Sequence, residues 1–538
     1  MKKMTLLGIG LTALAALSLV GCGHSTQAGG GSVIQVKLYQ AGWGREWLDA
    51  EITAFEKAYS AEKYTVDVVE STSKVPETTE GEIETATGKN KNQIDLYFTS
   101  NVSINRVISK SKNILRSSNE VLLESFDDIL GEGAIGSDRV EEKTTIKDRL
   151  YNGMDPMIRY SGDISNWTGK AFTLPWATSA TSLIVNPKIL ADDGLSVPLT
   201  SDELITDVQA VAAKTATTNI YPYTWAGNNA SGYWNFLFAT WFAQYQTLAG
   251  FNKFLATTPD SGTMKDNGYD VYHDQGILES LKVMTSLLNL DYSPDGSANM
   301  LAPEAQHQFL AGKAAFMVNG DWLLNEMKTE YATEAKAMQI IKCPVLSSIG
   351  TEAGLTDAEL HTVVAAIDDG KAFSDLSSIV ALTQANFDRI KVARGVYNSL
   401  GASHQILIPS YSDAKDAAKL FVRFILSQDG CRIFRENAYG SLPFRYDQGD
   451  TSGLSTFEQS DLKVLNNGDS TTFFNELYSY SPLRVAANLL TFNYNSWISP
   501  TTFKAVLLAK GAFTAQHMFD QEYQYEKDNW STYVSYLG

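Results

Sequence analysis

Apolar positions along the chain alternate with period two in some stretches and recur at helical spacing in others. Val33 to Tyr39 alternates as VIQVKLY, which predicts a strand opening the folded part and ending at Gln40-Ala41-Gly42-Trp43-Gly44. Leu48, Ile52, Phe55 and Tyr59 then fall on one helical face. Tyr64 to Val69 reads as a second strand, so the chain opens strand, loop, helix, strand, which implies a parallel pair with a right-handed crossover. Ile94 to Thr99 is a third strand, ending at Ser100-Asn101. Helical pieces and turns at Gly131, Gly133 and Gly136 follow, then a strand over Thr181 to Asn186 that Pro187 ends. Thr200 or Ser201 caps a helix with Glu203 near its third position. Helices are expected over 234–246, 277–290 and 384–400, and strands over Met338 to Val345 and Gln405 to Pro409. Residues 347–374 read as an insertion or long connection, and Asn319-Gly320 as a turn. A helix after Ser412 carries Ala417, Leu420, Phe421, Phe424 and Ile425 on one face. Residues 457–538 are expected to be mostly helical, with Tyr478, Tyr480, Phe492, Tyr494 and Trp497 among their aromatics.

Phe309 to Trp322, FLAGKAAFMVNGDW, runs from a small-residue helix end into a buried strand and delivers Asp321 and Trp322 where that strand leaves the core. Strand ends of this kind are where open α/β sheets place ligands. An acid that accepts hydrogen bonds beside a flat indole suits a sugar ring, with its C–H face and hydroxyl rim. A turn acid and a core ring fit the same residues.

Length allows two sizeable lobes: the chain has 538 residues, 44% of them hydrophobic. The net charge of −18 argues against nucleic acid as a partner. Lys2 and Lys3, the apolar run Met4 to Val20, and Gly21 have the layout of a secretory signal. Cys22 directly after Leu19-Val20-Gly21 resembles the bacterial lipobox, which implies cleavage before Cys22 and a diacylglycerol with palmitate on its sulfur. Residues 1–21 are then the signal peptide and 22–32 a Gly- and Ser-rich tether. Cys343 and Cys431 sit in apolar surroundings and read as buried free thiols, with a single disulfide as the alternative.

No HExxH, paired CxxC, EF-hand loop or nucleophile elbow occurs, and no metal or cofactor is called for. Asp266, Asp270 and Asp274 lack calcium-loop spacing and read as a solvated turn. Aromatics at loop positions stand out instead: Trp43, Trp176, Tyr223, Trp225, Tyr233, Trp234 and Trp322. An exposed patch of such rings would aggregate, so they are core or they line a cleft.

These pieces together resemble an extracellular solute-binding protein of the carbohydrate-uptake ABC transporter class, the group that includes maltose-binding protein. The matching segments are the lipobox, the first strand with the Trp43 loop and helix 46–59, Thr173-Leu174-Pro175-Trp176 with Leu183 to Asn186, the Pro222/Tyr223/Trp225 segment, Phe309 to Trp322, and Ala417 to Gln428 with Gly440 and Pro443. The resemblance implies an α/β, two-lobed periplasmic-binding-protein-like fold with a hinge and an interlobe cleft. The division it suggests is 33–150 with about 400–450 in the N-terminal lobe, about 151–345 with 451–538 in the C-terminal lobe, and 346–399 as a hinge-proximal connection or insertion. It carries ligand binding onto Trp43, Asn101, Trp176, Tyr223, Trp225, Tyr233, Trp234, Asp321 and Trp322. It further implies a monomer, lipid-anchored on the outer face of the cell membrane, that binds a carbohydrate, more readily an oligosaccharide, and hands it to ABC permease and ATPase subunits without any chemical step. A surface glycoside hydrolase, or a receptor of the same fold for a peptide or other solute, are the alternatives.

Overall fold

The computed structural model describes residues 32–74, 78–85, 92–117, 119–162, 164–228, 232–376, 378–398, 403–465, 472–474, 481–487 and 502–537. The signal segment, Cys22, the rest of the tether up to residue 31, and Tyr478, Tyr480, Phe492, Tyr494 and Trp497 lie outside the described residues.

Two sheets organise two lobes. In the first, β1 (Val33–Tyr39) lies parallel to β2 (Thr65–Thr72) and to β3 (Leu96–Ser100). The alternation read from the sequence buries Ile34, Val36 and Leu38 completely. Helix Glu46–Ala58 adds Leu48 and Phe55 to the same core, and helix Lys415–Ile425 adds Phe421, Phe424 and Ile425. A short hairpin follows, β4 (Gly133–Ile135) with β5 (Glu141–Thr145), where the glycines had suggested only turns. Next come β6 (Leu174–Pro175), β7 (Thr181–Val185), β8 (Tyr221–Tyr223), β9 (Ala314–Gly320), β10 (Gln339–Ile341), β11 (Val396–Asn398), β12 (His404–Leu407) and β13 (Thr472–Phe474). The first sheet runs β2-β1-β3-β12-β6, so a strand from late in the chain sits antiparallel between β3 and β6.

The second sheet runs β13-β11-β7-β9-β8, with β10 also paired to β7. Both of its faces are covered, as the continuous apolar runs of β7 and β9 require. Leu183 and Val185 enter one core while Ile184 enters the other; Phe316 and Val318 are likewise separated from Met317. Asn319 and Gly320 do not turn. They stay in β9, paired with Ser182 and Thr181, because the sheet supplies partners for their backbone groups.

Residues 347–374, read as an insertion or long connection, are largely helical. They form helices Ser347–Glu352 and Asp357–Asp368, the second opened by a capping box between Thr356 and Glu359. Leu360, Val363, Val364 and Ile367 pack into the core beside the second sheet. The expected capping box at Thr200 and Glu203 is also formed. Cys343 and Cys431 are buried free thiols.

The chain passes between the sheets through residues 176–180, which join β6 to β7, and again between β11 and β12. A third passage leads from helix Gln428–Ala438, packed on helix Glu46–Ala58, to helix Thr456–Leu465, packed on β10. These passages touch: the Thr178 N–H donates to the Ser441 carbonyl at 2.8 Å, and Thr181 Oγ1 donates to the Asn398 carbonyl at 2.7 Å. Among the described residues no helix is long and apolar enough to cross a membrane.

Candidate functional site

The strand end of β1 and the strand end of β9 face one another. After Tyr39 the chain makes one tight turn, Ala41–Trp43, in which Ala41 is left-handed at φ 46°. That turn delivers Trp43 edge-on to Trp176 at 5.8 Å between ring centroids, to His404 at 4.8 Å and to Trp322 at 6.5 Å. Trp176 is pinned by its indole N–H, which donates to the Thr99 carbonyl at 2.9 Å, and it stacks on Trp47 at 5.5 Å. Trp322 is half-buried and packs against the cores of both lobes. It has room because two neighbours lack side chains. A Cβ on Gly320 would lie 2.1 Å from the Trp322 ring, and one on Gly42 would lie 2.8 Å from Trp322 Cβ. Tyr233 closes the group at 6.4 Å from Trp322.

Trp43, Trp176, Tyr233 and Trp322 are therefore brought together. Trp43 and Trp176 are buried, while Trp322 and Tyr233 are half-buried; Tyr223, Trp225 and Trp234 form a separate, fully buried group in the second lobe, with Trp225 stacked on Trp234 at 6.2 Å and Tyr223 edge-on to Trp234 at 4.8 Å. Tyr223 is tied away from the sheet edge, since its hydroxyl accepts the Asn289 N–H at 2.9 Å. Asn101 is exposed at the end of β3, and its side-chain amide donates to Ser100 Oγ at 3.3 Å.

Asp321 is wholly enclosed, and it braces a passage between the lobes. Its Oδ2 accepts the Ala180 N–H at 3.2 Å, and its own N–H donates to the Ala180 carbonyl at 3.1 Å. Burial raises its carboxyl well above the usual carboxylate range, and the neighbouring Asp461 pushes in the same direction. Asp461, from helix Thr456–Leu465, is itself raised by burial. Burial and their mutual repulsion thus both favour the protonated form at Asp321.

Three residues of this region carried no signal in the sequence reading. His404 is 8% exposed, lies edge-on to Trp43 and Trp176, and stacks parallel to Tyr39. It arrives on β12, paired with Ser100 of β3. Glu326 closes the short helix Leu323–Glu326, four positions after Trp322, a helical spacing that could have marked it. It is exposed yet walled by protein, with Oε2 accepting from Gln306 Nε2 at 2.7 Å. Burial among these walls raises its carboxyl, and its charge in turn helps raise the phenols of Tyr39 and Tyr233. Asp461, third, stands in a polar helix with nothing local to show its partner.

The same segment clasps the opposite strand end. Asn325 Nδ2 donates to the Gly42 carbonyl at 2.6 Å, and Lys328 pairs with Glu46 at 3.0 Å. Buried indole N–H groups of Trp43, Trp225 and Trp234, and Asp321 Oδ1, have no hydrogen-bond partner among the described residues. Surface depressions of about 400, 190 and 530 Å³ lie elsewhere, beside Lys510, Asp274 and His361 respectively, and none is lined by a ring of either group. Among the described residues no cluster of three or more His, Cys, Asp or Glu could hold a metal. Asp266 and Asp270 are instead held by Thr263 and Tyr523.

Comparison with known proteins gives this arrangement a context. The sequence profile described as bacterial extracellular solute-binding protein matches residues 41–430. No curated protein sequence matches. Among solved structures, a chitin oligosaccharide binding protein aligns with a TM-score of 0.53 at 14% identity, covering 93% of this chain and 99% of that one. The apo form of RafE from Streptococcus pneumoniae aligns at 0.54 with 14% identity, covering 93% and 100%. An ABC transporter solute-binding protein from Thermotoga lettingae TMO, bound with α-D-tagatose, aligns at 0.53 with 16% identity, covering 95% and 100%. The match over residues 41–430, on a two-lobed α/β frame, makes this chain a member of the bacterial extracellular solute-binding proteins.

Proposed function

We propose that the protein is the receptor lipoprotein of an ABC importer, binding a carbohydrate between its lobes and delivering it to a membrane permease. The observation that carries this reading is the convergence of Trp43 and Trp176 from the first lobe with Trp322 and Tyr233 from the second, beside the exposed carboxylate of Glu326. Ring faces stack on the C–H face of a sugar, while a carboxylate accepts from its hydroxyls. The unpartnered indole N–H groups are the kind of buried donor that a polar ligand or water completes. The chitin-oligosaccharide and tagatose binders named above supply the sugar class by analogy.

The mechanism is two-state closure. A ligand touching both strand ends gains contacts only when they approach, so it favours the closed form by that difference. Micromolar affinity corresponds to about −8 kcal/mol. We favour a receptor over a glycoside hydrolase because, among the described residues beside the rings, Asp321 is enclosed and Glu46 is paired with Lys328, which leaves Glu326 without the second free carboxylate that glycoside hydrolysis ordinarily uses. Lipidation at Cys22 would hold the protein at the outer face of the membrane on the tether that follows.

A thermal-shift screen of the chain from residue 23 against mono- and oligosaccharides, with product analysis of each mixture, tests the reading. The expected result is a saturable rise in melting temperature with the sugar left intact. Cleaved sugar, or no shift with any sugar, overturns it. For the anchor, the full chain is expected in the membrane fraction and C22A in the soluble one.

A further inference from the structure

We infer that Glu326 sets the charge preference of the cleft, admitting neutral and amine-bearing glycans and rejecting those that carry carboxylate or sulfate. The inference rests on the carbohydrate reading above. Glu326 stands between the two strand ends. One of its oxygens is held by Gln306 at 2.7 Å, and the other lies 3.4 Å from where a Gly42 Cβ would be, facing the turn that carries Trp43. That second oxygen has no hydrogen-bond partner among the described residues.

Among the described residues no cation is paired with this charge. Lys328, in the same segment, is paired with Glu46. Arg45, on the facing segment, is paired with Asp49 at 3.0 Å. Among the described residues the phenols of Tyr39 and Tyr233 near the rings are raised and so neutral, and the imidazole of His404 lies edge-on to Trp43. Trp322 and Tyr233, the half-buried rings of the group, present electron-rich faces, which attract cations and repel anions. A protonated amine at this edge meets an acceptor and two kinds of favourable field. A uronate or sulfate meets a like charge at close range.

The test is a glycan array carrying neutral, aminated, uronate and sulfated oligosaccharides, probed at pH 7 with the labelled chain from residue 23 and with its E326Q variant. Glu326 is exposed and E326Q keeps an acceptor for Gln306, so a matching melting temperature will confirm that the variant is folded. The wild type is expected to bind neutral and aminated glycans and to bind acidic ones at least tenfold more weakly. E326Q is expected to lose any preference for amines and to narrow the acidic penalty by about tenfold. Wild-type binding of acidic glycans as strong as that of matched neutral ones overturns this inference alone, as does an unchanged acidic-to-neutral ratio in E326Q. Absence of binding to every class overturns the carbohydrate reading and this inference with it.

Discussion

Asp321 and Asp461 show how much a single enclosed charge can decide. Both are nearly or wholly buried, and burial, reinforced at Asp321 by Asp461, raises their carboxyls. In the unfolded chain each would ionise near pH 4. Folding is therefore unpenalised below that pH, and stability falls as pH rises from about 4 toward the raised folded values, because the folded state must hold a proton that the unfolded chain has released. An amide at 461 removes one of the two titratable carboxyls. D461N is expected to melt at a higher temperature than the wild type at pH 8, with the advantage shrinking toward pH 4.5, as followed by circular dichroism. A gap that is constant or widens at low pH would rule out the raised carboxyls as its cause. Nothing in the sequence could have shown this pair, since Asp461 stands in an ordinary polar helix and meets Asp321 only through the packing of that helix on β10.

At the scale of elements, the sequence was legible where local pattern and tertiary environment agree. The alternation of β1, the helix 46–58 face and the capping box at Thr200 all formed as read. It misled where composition outweighed periodicity. Residues 347–374 are rich in Gly and Asp, yet Thr356 and Glu359 carry a capping signature, followed by Leu360, Val363, Val364 and Ile367 on one face. The ring group was legible as residue types, because large aromatics at strand ends have few places to go. Which of them meet was not, since His404 is placed by β12 crossing the sheet and Tyr223 is drawn away by Asn289. The clasp formed by residues 322–328 is likewise a product of two distant loops. N325A removes the bond to the Gly42 carbonyl and should weaken the closed form by about 1 kcal/mol, roughly fivefold in population. A larger radius of gyration by X-ray scattering, with little change in melting temperature, is the expected outcome. An unchanged scattering profile would mean that the contact does not hold the lobes together.

For the whole molecule, connectivity matters more than any one contact. Each sheet is finished by strands from late in the chain: β12 lies between β3 and β6 in the first, and β11 with β13 extends the second beyond β7. A chain ending at residue 395 keeps most of the residues but lacks these strands. It is expected to show no cooperative thermal transition and no solute binding. A cooperative melt with a protease-resistant lobe would show that β1–β3 and β6 suffice.

The late position of β12 also bears on timing. A polypeptide leaving a ribosome offers its first sheet an unfilled position, with β3 lacking its neighbour, until residue 407 has emerged. Contacts that close so far along the chain form slowly, because a long loop must be ordered before they reward it. Under the lipoprotein reading proposed above, that delay would be useful. On that reading the nascent chain would stay threadable while it is exported, and the same strand that seats His404 beside Trp43 would complete the first lobe last.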